Sequence, residues 1–387
     1  MTTPTPYSLL PTPTPRASPR RFAFPYRLEL EPRMTTPRWL PWATSLGSVV
    51  FALVVGGLVL AYVGGDPIDA YAHIFNAAFG NPGVLSDTLV KASPLILTGL
   101  ACLIAFRARL WNIGAEGQFF IGAFGATFVV QQMFDKDASP WLVIPTMALM
   151  GFACGALWGA IPGFLRGRFG VNEIITTLMM NYIAFFWNDF FIYGRWSDRG
   201  FQLTPTFPKN AWMPRLSDFA DQFPAFSGIT IHAGLFLGLA ATVAIAYLLF
   251  RTRWGYEIRL IGDNARAAEY AGINIVRNTV FVLALSGGLA GLAGMAEVSG
   301  VVHRLQERIS PGYGFTAIIV AWLAKLNPWA VIPVAIVFGG LIIGSREIQP
   351  SGLSRMLQGI VLFAIIGSEI LNRYRVRLVR AQLSQSL

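Results

Sequence analysis

Between two apolar stretches lies a basic loop, Arg251 to Arg277, reading RTRWGYEIRLIGDNARAAEYAGINIVR, whose side chains suit docking rather than covalent chemistry. Five arginines face three carboxylates (Glu257, Asp263 and Glu269), so the segment cannot lie in lipid, and its charge favours the cytoplasmic side of a membrane. Within it, Asn264 is suited to cap a short helix and Gly272 to stop it. Helical spacing brings Ala267, Tyr270 and Ala271 near one face, flanked by Arg266 and Glu269. A short helix with so small a face fits a cleft on a soluble partner. It equally fits an amphipathic connector, and spacing alone favours neither.

A second group of candidates consists of polar residues inside apolar stretches, where each is costly and usually faces a cavity or a partner. One cluster is Asn112-Ile-Gly-Ala-Glu-Gly-Gln118. Another is Val171-Asn-Glu-Ile-Ile-Thr-Thr177, with Asn181, Tyr182 and Asn188 beyond it. Glu116 and Glu173 fall close in sequence to Arg107, Arg109, Arg166 and Arg168, so an ion-pair network fixing helix ends is favoured over solute contact. For Asn181, Tyr182, Asn188 and the run Phe185-Phe186-Trp187, lining of a pathway and plain packing stand level. Aromatic faces beside amides suit a flat polar ring. Asn172, Glu173, Thr176 and Thr177 belong to the same group, as do Asn112, Glu116 and Gln118.

Covalent and metal chemistry find no support. Cys102 and Cys154 fall in apolar runs and read as small buried hydrophobes. His73, His232 and His303 are scattered without ligand spacing, and no phosphate-binding, zinc-protease or nucleophile-elbow motif occurs. No catalytic residue and no metal site is expected. If ATP drives solute movement here, the ATPase is another chain.

The elements that position these residues are membrane spans. Hydrophobic residues make up 54% of the 387-residue chain and charged residues 13%, which excludes an ordinary soluble enzyme. Runs of about 20 apolar residues are needed to cross a bilayer. Ten candidates are Ala43–Val63, Leu89–Phe106, Ile113–Phe134, Trp141–Leu165, Ile174–Tyr193, Ile231–Phe250, Thr279–Gly300, Phe315–Leu326, Trp329–Ser345 and Met356–Leu371. The eighth is too short for a simple crossing helix. With both termini inside, about two-thirds of the Lys and Arg fall on inner segments, which supports that orientation. The long segment Gly194–Thr230 then lies outside despite four basic residues. The pI of 9.9 reflects contact with inner-leaflet lipid, not nucleic acid. Residues 1–38 form a Pro- and Thr-rich basic tail expected to be disordered, 39–374 the membrane domain, and 375–387 a basic cytoplasmic tail. The opening MTTP recurs at Met34, which makes Met34 an alternative start.

Packing signals accompany the spans. Gly151, Gly155, Gly159 and Gly163 recur every fourth residue, and Gly287 and Gly291 do the same, as stripes that let helices approach closely. Pro94–Ala101 leads into the Gly-interrupted segment Asn112–Gln118, and Leu285–Ala293 into the Gly-interrupted segment Ser310–Phe315. In the ten-span topology these pairs run oppositely, the pattern of an inverted repeat around a solute path.

NIGAEGQFFIGAFGA at Asn112–Ala126, GVNEIITTLMMNYIA at Gly170–Ala184, GYEIRLIGDNARAAEYAGI at Gly255–Ile273 and GYGFTAIIVAWLAKLNP at Gly312–Pro328 resemble permease subunits of bacterial ABC importers. The similar branch serves ribose-type sugars, branched-chain amino acids and nucleosides, and the first two motifs look most like the longer permease of nucleoside importers. The resemblance implies an all-α polytopic protein of about ten spans in the bacterial plasma membrane, without an ATPase site of its own. It also implies that a partner ABC ATPase binds ATP and Mg, that a second permease shares the pathway, and that an external substrate-binding lipoprotein delivers solute. Gly255, Gly262, Asn264, Ala267, Ala268, Tyr270 and Gly272 would then form the ATPase-coupling loop. A ribose-like sugar permease is the alternative within this class, and an ion-coupled secondary transporter outside it.

Overall fold

The computed structural model describes residues 26–33, 37, 39–346 and 352–380. The Pro/Thr-rich run at the start and Met34 lie outside the described residues.

A strand, β1 (Tyr26–Pro32), leads into α1 (Leu40–Tyr62) and α2 (Pro67–Phe79). The central helices are α3 (Pro82–Arg107), α4 (Ala115–Gln132), α5 (Pro140–Phe169) and α6 (Glu173–Tyr193). After a long cap come α7 (Ala233–Arg251), α8 (Arg253–Asp263), α9 (Ala265–Tyr270) and α10 (Ile275–Glu297). The chain closes with α11 (Tyr313–Leu323), α12 (Pro328–Gly344), α13 (Leu353–Arg373) and β2 (Tyr374–Arg380). Ten of these helices overlie the ten apolar runs. Six are long and apolar enough to cross a membrane: α1, α3, α5, α7, α13, and α10 with the π turn Val298–Val302 that extends it. The chain is an all-α polytopic membrane protein.

Glycine sets the core spacing. A Cβ added at Gly155 or Gly159 of α5 would strike the carbonyl oxygens of Gly287 or Leu283 on α10, and one at Gly163 would lie 2.9 Å from Val280 Cα. Gly122 of α4 meets Gly291 in the same way, so three helices touch backbone to backbone at one junction. Such contact replaces the hydrophobic drive that is missing between helices in lipid.

α3 and α10 run antiparallel through the centre. Ser286 Oγ donates to Ala101 O at 2.6 Å, and Lys91 Nζ reaches Glu297 Oε1 at 2.8 Å nearer the far end. α1 and α13 pair alongside, with Thr44 Oγ1 donating to Asn372 Oδ1 at 3.2 Å. The start of the first span and the end of the last are thus neighbours. Beyond them β1 pairs antiparallel with β2, placing Glu31 opposite Arg375.

Three expectations need correction. Residues 26–32, expected to be disordered, instead pair as a strand with residues 374–380, which take in the first six residues of the expected C-terminal tail. Between the first two apolar runs lies an unforeseen helix, α2, because Asp66 accepts from the amides of Ile68 and Asp69 ahead of Pro67, a strong helix start. It packs against α1, where Tyr71 donates to Leu53 O at 2.6 Å, and against α12, where Gly340 and Gly344 admit Phe79 and Ile74. The charged loop also holds two helices rather than one.

Candidate functional site

The inner architecture of the site is a junction of helix starts. Arg107 ends α3, and the chain then doubles back, with Arg109 in the left-handed region at φ 54°. Asn112 is fully buried beside Ala101 and Ser286. Its amide donates to Gln118 Oε1 and Ser286 Oγ, each at 2.8 Å, while its Oδ1 accepts from Gly114 N at 3.0 Å. α4 therefore begins inside the bundle. α11 does too, after the π turn at the end of α10 and a returning loop, and is only 11 residues long. The two N-termini meet: Glu116 Oε2 accepts from Gly314 N at 2.6 Å, and a Cβ at Gly314 would collide with the Glu116 backbone. From this point α4 leads toward the cap and α11 toward Leu326, whose carbonyl accepts Arg107 Nε and Nη2 at 3.0 and 2.7 Å.

α6 clamps this break through one face. Thr177, Asn181, Ala184 and Asn188 recur at three- and four-residue spacing and are all buried. Asn181 Oδ1 accepts from Gly117 N at 2.8 Å, its Nδ2 donates to Ile113 O at 3.0 Å, and Asn188 Nδ2 donates to Phe120 O at 3.2 Å. Thr177 Oγ1 accepts from Ile113 N at 3.2 Å. Glu173 takes Arg166 Nε at 3.2 Å beside the Trp111 amide. The Thr177 and Asn181 bonds satisfy backbone at Ile113 and Gly117 freed by the broken helix, the condition for irregular backbone at membrane depth. Asn172 is an exposed N-cap, accepting from Ile174 N at 2.9 Å, and Thr176 bonds back to Asn172 O. Tyr182, Phe186 and Trp187 point the other way, Tyr182 being 52% exposed. The structure thus brings together Asn112, Glu116, Gln118, Glu173, Thr177, Asn181 and Asn188, and leaves Asn172, Thr176 and Tyr182 outside the cluster.

Sequence reasoning missed the Lys91–Glu297 pair. Both residues sit in apolar helices, with side chains 13% and 2% exposed. The Lys91 ammonium stands 5.8 Å from the centre of the buried Tyr313 ring, so the pair abuts the start of α11. A lone lysine in one apolar run and a lone glutamate ending another were the available signal. The far end of α10 is closed by the cap, residues 194–232. Arg215 Nη2 donates to Gly300 O at 2.9 Å and lies 2.7 Å from His303 Nε2, while Trp212 stacks on His303 at 3.8 Å. Burial and the Arg215 guanidinium push the His303 imidazole down to about 4, so it stays neutral near pH 7. Among the described residues no group of His, Cys, Asp and Glu has metal-binding geometry.

The opposite end carries the arm. Thr252 caps α8, and Gly255 packs on the Leu248 carbonyl while Gly262 packs on the Arg107 carbonyl, so α8 bridges the ends of α7 and α3. Trp254 Nε1 donates to Asn278 Oδ1 at 2.7 Å, and Asn278 Nδ2 to Glu257 Oε2 at 3.2 Å, tying α8 to α10. Asn264 Oδ1 then caps α9 by accepting from Ala267 N at 3.1 Å, and Gly272 follows at φ 78°. Ala267, Tyr270 and Ala271 are exposed, Tyr270 at 94%. Ala268 is fully buried. It is therefore part of the arm's own packing, and a change there disturbs the arm before it reaches any partner.

A glycine-packed bundle of antiparallel spans, broken at its centre by two facing helix starts and carrying a charged arm beyond the apolar helices, defines a membrane transport permease. Residues 84–366 match the family described as branched-chain amino acid transport system / permease component, and the chain belongs to that family. It is 36% identical to the glucose ABC transporter permease protein of Haloferax volcanii, over 90% of this chain and 93% of the relative. It is 32% identical to the guanosine ABC transporter permease protein of Bacillus subtilis, covering 87% and 95% of the two. With the nucleoside ABC transporter permease protein of Lactococcus lactis it shares 31%, covering 82% and 88%. No solved structure matches. The chain is thus a permease subunit of an ABC importer, working with a separate ATPase subunit and a substrate-binding protein.

Proposed function

We propose that the chain lines, with a second and different permease chain, the pathway of a nucleoside importer in the bacterial plasma membrane. The termini and the α8–α9 arm face the cytoplasm, and the cap over α10 faces outward toward a substrate-binding lipoprotein. The observation that carries the coupling role is Tyr270, 94% exposed on a helix whose carrier α8 is locked to α3, α7 and α10. A partner ATPase that binds ATP and Mg moves this arm as a lever, because the helices it joins are packed backbone to backbone. The arginines of the arm favour the cytoplasmic side. α1 and α13 lie side by side and antiparallel, so the first span starts and the last span ends on the same side of the bundle.

The nucleoside reading is supported by the guanosine and nucleoside relatives and by the aromatic face of α6. The Asn181 and Asn188 amides are bonded to the α4 segment, which leaves Tyr182, Phe186 and Trp187 to meet a solute at the interface between permeases. A glucose reading is favoured by the Haloferax relative. Uptake by the reconstituted complex separates them. Labelled guanosine is expected to be carried only with ATP inside the vesicle-equivalent of the cytoplasm, and to be competed by adenosine and uridine but poorly by glucose or ribose. Replacing Ala267 by glutamate is expected to cut this uptake at least tenfold while the permease stays folded. Strong glucose uptake without guanosine uptake overturns the nucleoside reading, and normal uptake by the Ala267 variant overturns the coupling role.

A further inference from the structure

A cleft of about 810 Å³ opens on the outer surface of the bundle between α5, α8 and α10. Its lining changes character along its length. At one end stand Arg253, Trp254 and Arg277, beside Glu257 and Asn278. At the other are Phe152, Ala156, Phe281, Ala284 and Leu285, all apolar. From Arg277 to Leu285 is eight residues of helix, about 12 Å at the helical rise. The cleft therefore runs from the level of the charged arm well into the hydrocarbon.

Its charge is unbalanced. Glu257 is committed to Arg253, at 3.3 Å, and to Asn278. Arg277 is exposed and pairs with no carboxylate among the described residues. The Trp254 indole N–H is held by Asn278, which fixes the ring at the mouth, where amphipathic aromatic side chains meet the headgroup layer.

We propose that this cleft binds one anionic phospholipid. The phosphate sits against the Arg277 and Arg253 guanidinium groups, as suits planar donors facing a phosphate, and one acyl chain lies over Phe152, Phe281 and Leu285. Basic pockets between helices at the inner boundary are the expected sites for such headgroups. The apolar floor selects a lipid over free phosphate or a solute, and the site lies apart from the meeting of α4 and α11. Because α8 forms one wall and α10 another, the lipid braces the arm against the bundle. The leaflet assignment rests on the cytoplasmic reading of the arm; the binding itself does not.

Native mass spectrometry of the purified permease–ATPase complex, titrated with phosphatidylglycerol or phosphatidylcholine, tests this. One phosphatidylglycerol is expected to stay bound, phosphatidylcholine to bind at least tenfold more weakly, and millimolar inorganic phosphate not to displace the lipid. Arg277→Gln is expected to weaken retention about tenfold. Ala284→Trp, which fills the apolar end and leaves both arginines, is expected to do the same. Equal retention by the parent and both variants overturns the proposal, as does displacement by inorganic phosphate. So does cross-linking of Phe281→Cys to the second permease, since that chain would then occupy the cleft. The readout needs neither solute nor ATP, so its failure is distinct from failure of the transport reading.

Discussion

Replacing Gly291 by leucine is expected to abolish accumulation of folded permease. A Cβ there would overlap the Gly151 carbonyl and lie 3.1 Å from Gly155 Cα, and Gly122 presses on Gly291 from a third helix. No rotamer relieves a clash with backbone on two sides, so α4, α5 and α10 must part. Overpacking in ordinary cores costs about 1–3 kcal/mol, and here the obstacle is backbone, which puts the cost at or above about 3 kcal/mol. Gly359 of α13, with open space around its Cβ, is the control: Gly359→Leu is expected to accumulate at the parental level. Size-exclusion profiles of the detergent-extracted proteins read both. A monodisperse Gly291→Leu protein at the parental yield would show that these helices are not packed this closely.

Breaking the Lys91–Glu297 pair is expected to have the next largest effect. Glu297→Leu strands the ammonium of Lys91 in a setting where it is 13% exposed. Loss of one partner of a buried pair costs about 3–5 kcal/mol, whereas replacing both by apolar groups is often neutral. Lys91→Met combined with Glu297→Leu is therefore expected to recover most of the thermal stability lost in Glu297→Leu. Glu297 and the Tyr313 hydroxyl lie buried together at the start of α11. If the pair also positions α11 during transport, the double variant regains stability but not uptake. Equal melting of Glu297→Leu and the parent would remove the pair from the account.

What was legible from sequence follows from the range of each signal. The glycine stripe is a four-residue period within one helix, and it identifies a close-packed face without knowledge of the partner. The caps at Asn264 and Gly272 are equally local, and the structure forms both. The direction of the α6 side chains was within reach: Thr177, Asn181, Ala184 and Asn188 mark one face, and Tyr182 and Phe186 the other. The buried amides and the exposed rings thus lie on different faces of α6. Ala268 was not legible in this way, because the inward side of a six-residue helix is set by how α8 holds it. Lys91 and Glu297 are 206 positions apart, so no periodicity joins them. The strand pairing of residues 26–32 with 374–380 likewise depends on α1 and α13 meeting first.

The cytoplasmic, ATPase-facing arm is the central claim, and thiol accessibility at Tyr270 tests it most directly. In a Cys102→Ala, Cys154→Ala background, Tyr270→Cys presents one thiol at a highly exposed point of the arm. A membrane-impermeant maleimide is expected to modify it in inside-out vesicles stripped of the ATPase and not in intact cells. Adding back the ATPase subunit is expected to slow that modification at least tenfold. Modification from outside intact cells, or a rate unaffected by the ATPase, would contradict the account.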